Sequence, residues 1–153
     1  MRVDVTTLLD CAPDQAILHV QTPRLLEFVA HPLVRFEPVE PNAFPQVWTA
    51  GTYWVRLRIF GFIPFGRQAV VISFPHDPER FLVRDNGHSK LIRVWDHLIS
   101  ITPESGRTRY RDTVTIRAGV FTPLIWLFAQ IFYRHRQRRW RKLVQREFRF
   151  GHD

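Results

Sequence analysis

Only one cysteine, Cys11, occurs in the chain, so neither an intramolecular disulfide nor a cysteine cluster for a metal can form. His76 and His88 stand beside turn residues without a second ligand at metal-binding spacing, so no metal site is expected. Gly61 and Gly66 bracket a hairpin with no Lys-Ser/Thr pair behind them, which excludes a phosphate-cradling glycine loop. No serine nucleophile with a matching base is visible, and no cofactor is expected. The opening MRVDVTTLLD carries charge at once and lacks the apolar run of a secretory leader, which points to a cytoplasmic protein. The longest apolar run ends at Arg134, well short of the roughly 20 residues that cross a bilayer.

Aromatic residues are plentiful: 13 Phe, 5 Trp and 3 Tyr. A chain of 153 residues with this supply fits one domain with a sizeable core, and aromatics also line ligand pockets. Basic residues outnumber acidic ones 22 to 14, and the excess is local. Residues 134–149 hold Arg134, Arg136, Arg138, Arg139, Arg141, Lys142, Arg146 and Arg149 against Glu147 alone. That charge suits the negative end of a helix dipole. It reads first as a solvated face, with docking to an anionic membrane surface as an alternative. No recognition motif supports nucleic-acid binding.

The basic stretch ends the one long helix the chain offers, 122–146. Thr122 can cap it, Pro123 fits its first turn, and no Gly or Pro interrupts the next 23 residues. Such a helix is about 35 Å long. Its first half is apolar all round, with Leu124, Leu127, Phe128 and Ile131 on one side. Trp126, Tyr133 and Trp140 recur every seven residues, a stripe for packing on the sheet or the short helices, or for a homodimer contact.

Before this helix the chain is rich in strands. Alternation marks Arg2–Asp10, with Val3, Val5, Thr7 and Leu9 on one face. Short helices follow at 13–20 and, capped by Thr22-Pro23, at 24–30. Strands are expected at 34–39, 47–60, 67–75, 80–84, 91–102 and 107–117, with Asp85-Asn86-Gly87 and 103–106 as turns. Strands joined by short turns make an antiparallel sheet. The expected class is α+β: a curved antiparallel sheet of about seven strands, two short helices after the first, and a long C-terminal helix packed on one face.

One constellation could carry chemistry. In the last strand Asp112 falls on the apolar side with Thr108, Tyr110, Val114 and Ile116. If Thr102 pairs with Arg107, Asp112 lies directly opposite His97, and a two-residue turn at Ser105-Gly106 makes the pair diagonal on the same face. A one-residue slip would separate them. A buried carboxylate needs a partner; His97 is the first candidate and Arg93 the second. Such a pair favours a charged His97. His97, Tyr110 and Asp112 either orient a ligand in a greasy cavity or form a structural pair that fixes strand register.

The element order resembles the helix-grip fold of the START-like (SRPBCC) superfamily, which includes birch-pollen-allergen-like proteins, lipid-transfer domains and polyketide cyclases. Gly61-Phe62-Ile63-Pro64-Phe65-Gly66, Trp95-Asp96-His97 and Tyr110-Arg111-Asp112-Thr113-Val114 are similar to stretches of bacterial members. The resemblance implies a cavity between sheet and long helix that holds a hydrophobic small molecule or lipid. Its walls are expected from Tyr53, Val55, Leu57, Ile59, Trp95, His97, Ile99, Tyr110, Asp112, Val114, Leu124, Phe128 and Ile131. A polyketide-cyclase-like or dehydratase-like enzyme, with His97, Tyr110 and Asp112 moving protons, is the alternative. A membrane- or partner-docking module led by the basic helix end is a second.

Overall fold

The computed structural model describes residues 1–151. Seven strands form one antiparallel sheet: β1 (Arg2–Leu9), β2 (Val34–Glu40), β3 (Gly51–Ile59), β4 (Ile63–Ser73), β5 (Phe81–Gly87), β6 (Val94–Glu104) and β7 (Arg107–Arg117). Their spatial order is β1-β7-β6-β5-β4-β3-β2, so the first two strands are the sheet's opposite edges. The helices are α1 (Pro13–Val20), α2 (Pro23–Ala30) and α3 (Thr122–Gln145). Thr22 caps α2 by accepting a hydrogen bond from the Leu25 amide. The expected α+β architecture is thus the observed one.

The observed elements differ from the expected ones for local reasons. The third strand begins at Gly51 rather than residue 47, because Trp48 is buried and its amide donates to the Gln21 carbonyl at 2.7 Å. The β3–β4 turn is confined to 60–62, and Gly66, at φ +89°, sits where the ladder shifts register. Asp85-Asn86-Gly87 is no turn but the end of β5, continued by paired backbone hydrogen bonds between Ala69 and His88. Gly87 allows this, since a Cβ there would meet the Ala69 carbonyl oxygen at 2.7 Å. The chain turns instead at 88–93, where Ser89 closes on Ile92 and delays β6 to Val94. Phe121, not Thr122, is the N-cap residue of α3; the Thr122 hydroxyl accepts from the Ala118 amide in the preceding 3-10 turn.

Helix α3 buries Ile125, Ala129, Phe132, Tyr133, Arg136, Gln137, Trp140, Leu143 and Val144, one continuous stripe at spacings of three and four. Leu124, Leu127 and Ile131, the face chosen from sequence, are exposed. The helix runs alongside edge strand β1 in the same direction: Trp126 Nε1 donates to Arg2 O, Gln137 Nε2 to Val5 O, and Arg141 to the Thr7 hydroxyl. Its second half packs with α1, α2 and the ends of β6 and β7 through Trp140, Leu143 and Val144. Each large apolar side chain buried there contributes about 1.5–3 kcal/mol. The basic half is therefore more than a solvated face: Arg136 is buried, and Arg139 donates to the Phe28 carbonyl and lies over its ring.

Candidate functional site

Because α3 lies against β1 and β7, it leaves the other side of the concave sheet uncovered. A cavity of about 330 Å³ fills that space, walled by β2 to β6, the first half of α3 and residues of α1 and α2. Leu26, Val34, Leu57, Val70, Ile72 and Phe128 are among its apolar lining. Phe65 and Leu124 line it while remaining exposed, which places its opening between the β3–β4 hairpin and the start of α3. Gln68, Asp85, His97 and Arg136 are polar groups in the same wall.

The strand register explains how His97 arrives there. Ser105 and Gly106 take φ of +50° and +78°, a two-residue hairpin turn that pairs Glu104 with Arg107. Asp112 then faces Ile99 and His97 faces Val114, the diagonal arrangement. His97 Nε2 lies 2.7 Å from Asp112 Oδ1, and Gln137 Nε2 donates to Asp112 Oδ2 at 3.0 Å. Gln137 also donates to Val5 O. Arg93, the second candidate partner, is exposed on the surface.

The titration of this cluster differs from the charged-histidine expectation. Burial pushes the His97 imidazole below its ordinary range; Asp112 opposes this and the charge of Arg136 reinforces it. Burial works the other way on Asp112, but His97, Arg136 and Gln137 together hold its carboxyl below the usual range. A neutral imidazole against a carboxylate must carry its proton on Nε2, leaving Nδ1 as an acceptor. Arg136 stays cationic: burial disfavours the charge, but Asp112 and the Tyr110 and Tyr133 hydroxyls outweigh it. Its guanidinium lies 5.1 Å from the centre of the Tyr133 ring.

Asp85 is the carboxyl that sequence reasoning missed. Its Oδ1 accepts from the Val71 amide at 2.8 Å, standing in for a backbone acceptor where β4 and β5 diverge. Burial pushes its pKa up to about 7, against the weaker effects of Val71 and Arg136. The signal was present: Asp85 lies directly opposite His97 and two residues from buried Val83. Reading Asp85-Asn86-Gly87 as a turn hid it.

The thirteen residues expected in the walls divide three ways. Leu57, Ile59, Trp95, His97, Ile99, Leu124 and Phe128 line the cavity. Tyr53, Val55, Tyr110, Asp112 and Val114 are buried in the packed layer instead. Trp48 stacks edge-on against Tyr53 at 4.9 Å and takes its place in the wall, while Tyr110 packs edge-on against Trp140 under α3. Ile131 points away from the sheet. The polar spot is thus His97, Arg136, Asp85 and Gln68, with Asp112 behind His97 and Tyr110 sealed off. Among the described residues no group of three metal-ligating side chains occurs, and no helix is long and apolar enough to cross a membrane.

Solved structures with this architecture are recognisable at low identity. TTHA0849 from Thermus thermophilus superposes with a TM-score of 0.68 at 12% identity, over 96% of this chain and 99% of that one. CV1439 from Chromobacterium violaceum gives 0.67 at 12%, over 94% and 96%. The AHSA1 (SPO3351) protein from Silicibacter pomeroyi gives 0.63 at 12%, over 96% and 99%. At such identities the likeness is one of fold, the helix-grip arrangement of sheet and C-terminal helix. No curated protein matches the chain. The family model described as "Domain of unknown function (DUF8410)" covers residues 31–144, from the end of α2 almost to the end of α3, and the chain belongs to that family.

Proposed function

We propose that the protein is a START-like binding domain that holds a hydrophobic small molecule or lipid between the sheet and α3. The observation that carries this reading is the cavity itself: about 330 Å³ of space with mostly apolar walls and a few converging polar groups. That is the form and the lower end of the size range of small-molecule sites. A folded interior normally closes such space, because unfilled volume forfeits packing contacts. Native mass spectrometry of protein purified without denaturant tests the reading. A lipophilic adduct that disappears on denaturation is expected; protein that carries no adduct and takes up no added medium-chain lipophile would count against it.

The neutral His97 supports a second reading, a cyclase-like or dehydratase-like enzyme. Its Nδ1 has the acceptor character of a general base, and Asp112 fixes the tautomer and ring orientation. Tyr110 and Asp112 do not reach the cavity, so this chemistry rests on His97 alone. His97→Ala abolishes turnover of a polyketone substrate if that reading holds, and unchanged turnover removes it.

A further inference from the structure

Two polar side chains in the cavity wall are more than nine-tenths buried and short of hydrogen-bond partners. Arg136 is 7% exposed; the Tyr110 hydroxyl is a hydrogen-bond partner of its guanidinium, but its Nε finds none. No carboxylate oxygen lies within ion-pair distance of its guanidinium among the described residues, and each oxygen of Asp112 already has a donor, His97 or Gln137. Gln68 is also 7% exposed, lines the same cavity, and its side-chain amide makes no hydrogen bond among the described residues. A buried guanidinium and amide left short of partners cost free energy that a ligand group can recover. A wholly apolar ligand would leave both dry and unsatisfied, and an amine would face the Arg136 charge.

From this we infer that the ligand is an acid: an amphiphile whose tail lies along the apolar walls and whose carboxylate is bound by the Arg136 guanidinium and the Gln68 amide. The inference rests on the reading of the cavity as a ligand site. A planar guanidinium matches a carboxylate in a two-bond fork, which an alcohol cannot reproduce. The competing anion in the wall is Asp85, and burial keeps its carboxyl largely neutral below about pH 7. His97, whose imidazole burial holds below its ordinary range, adds no negative charge in either protonation state. Phe65 and Leu124 at the opening leave the tail's far end toward the mouth.

The test is a head-group series on the full chain: decanoate, decanol and decylamine, titrated calorimetrically at about pH 6, where Asp85 is mostly protonated and a fatty acid mostly ionised. Decanoate is expected to bind at least about tenfold more tightly than decanol, with decylamine weakest. Arg136→Met, of similar volume but uncharged, should lose about tenfold or more for decanoate and stay within about twofold for decanol. Decanol binding as well as decanoate to the unmodified protein, or decylamine binding best, overturns the inference while leaving the cavity reading in place. Binding of none of the three overturns both. The series on the unmodified protein decides the matter even if Arg136→Met does not fold.

Discussion

Asp85 and Asp112 lie on strands separated only by β6, both in the interior, and they titrate in opposite directions. Asp112 sits where α3 touches the sheet, so a strand histidine and a helix glutamine each saturate one of its oxygens. Asp85 sits where the helix has lifted away, and a single backbone amide is its hydrogen-bond donor among the described residues. Burial raises both carboxyls; the number of donors decides which one stays ionised. The same contrast separates the two sides of the interior. Against β1 and β7 both oxygens of Asp112 are satisfied by protein, whereas in the cavity wall Arg136 Nε finds no partner and the Gln68 amide makes no hydrogen bond among the described residues.

The largest effect expected from disturbing this contrast is on the saturated side. Asp112→Ala leaves the buried His97 and Gln137 donors without their acceptor, and should cost about 3–5 kcal/mol in urea unfolding at neutral pH. Because the folded pKa of Asp112 is depressed, its contribution is present above the usual carboxylate range and lost as pH falls through the folded value. The deficit of the variant should therefore shrink on acidification. A deficit that is constant with pH would separate Asp112 from its charge.

Asp85→Asn probes the unsaturated side. The amide oxygen can still accept from Val71, but the group no longer titrates. With a folded pKa raised to about 7, Asp85 is protonated more tightly in the folded chain, so its contribution to stability falls as pH rises from about 4 to about 7. The variant should match the parent near pH 4 and become more stable by up to about 4 kcal/mol above pH 7. A difference that does not change with pH would show that Asp85 is ionised throughout. Gly87→Ala drives a methyl into the Ala69 carbonyl at the same β4–β5 junction and should cost about 1–3 kcal/mol. Arg136→Met should be the mildest, within about 1 kcal/mol in thermal or urea unfolding, since it replaces a buried, poorly partnered charge by an apolar chain.

The order of elements, the β1 and β7 faces and the His97–Asp112 pair were legible because alternation is strict and both hairpin registers that keep the pair together put it on one face. The helix face was not legible from 122–133 alone, since an all-apolar segment has no periodicity to read. It follows from the basic half: counting back from Leu143 and Trp140 by threes and fours leads through Arg136, Phe132 and Ala129 to Ile125. That count requires admitting an arginine to the buried stripe, against its usual preference for water. Asp85 was hidden by the opposite error, a turn-like tripeptide absorbed into a strand because Gly87 tolerates a close backbone. Trp48 was hidden by alternation that continues past the true start of β3.

The most direct measurement of the division between a packed side and an open side is a methyl NMR titration with decanoate. Shifts are expected at Leu26, Val34, Leu57, Val70, Ile72 and Ile125, which line the cavity. Val3, Leu9, Ile101 and Leu143, buried away from it, should hold their positions. Equal perturbation of both sets, or none at saturating decanoate, would contradict a preformed hollow over β3 to β6.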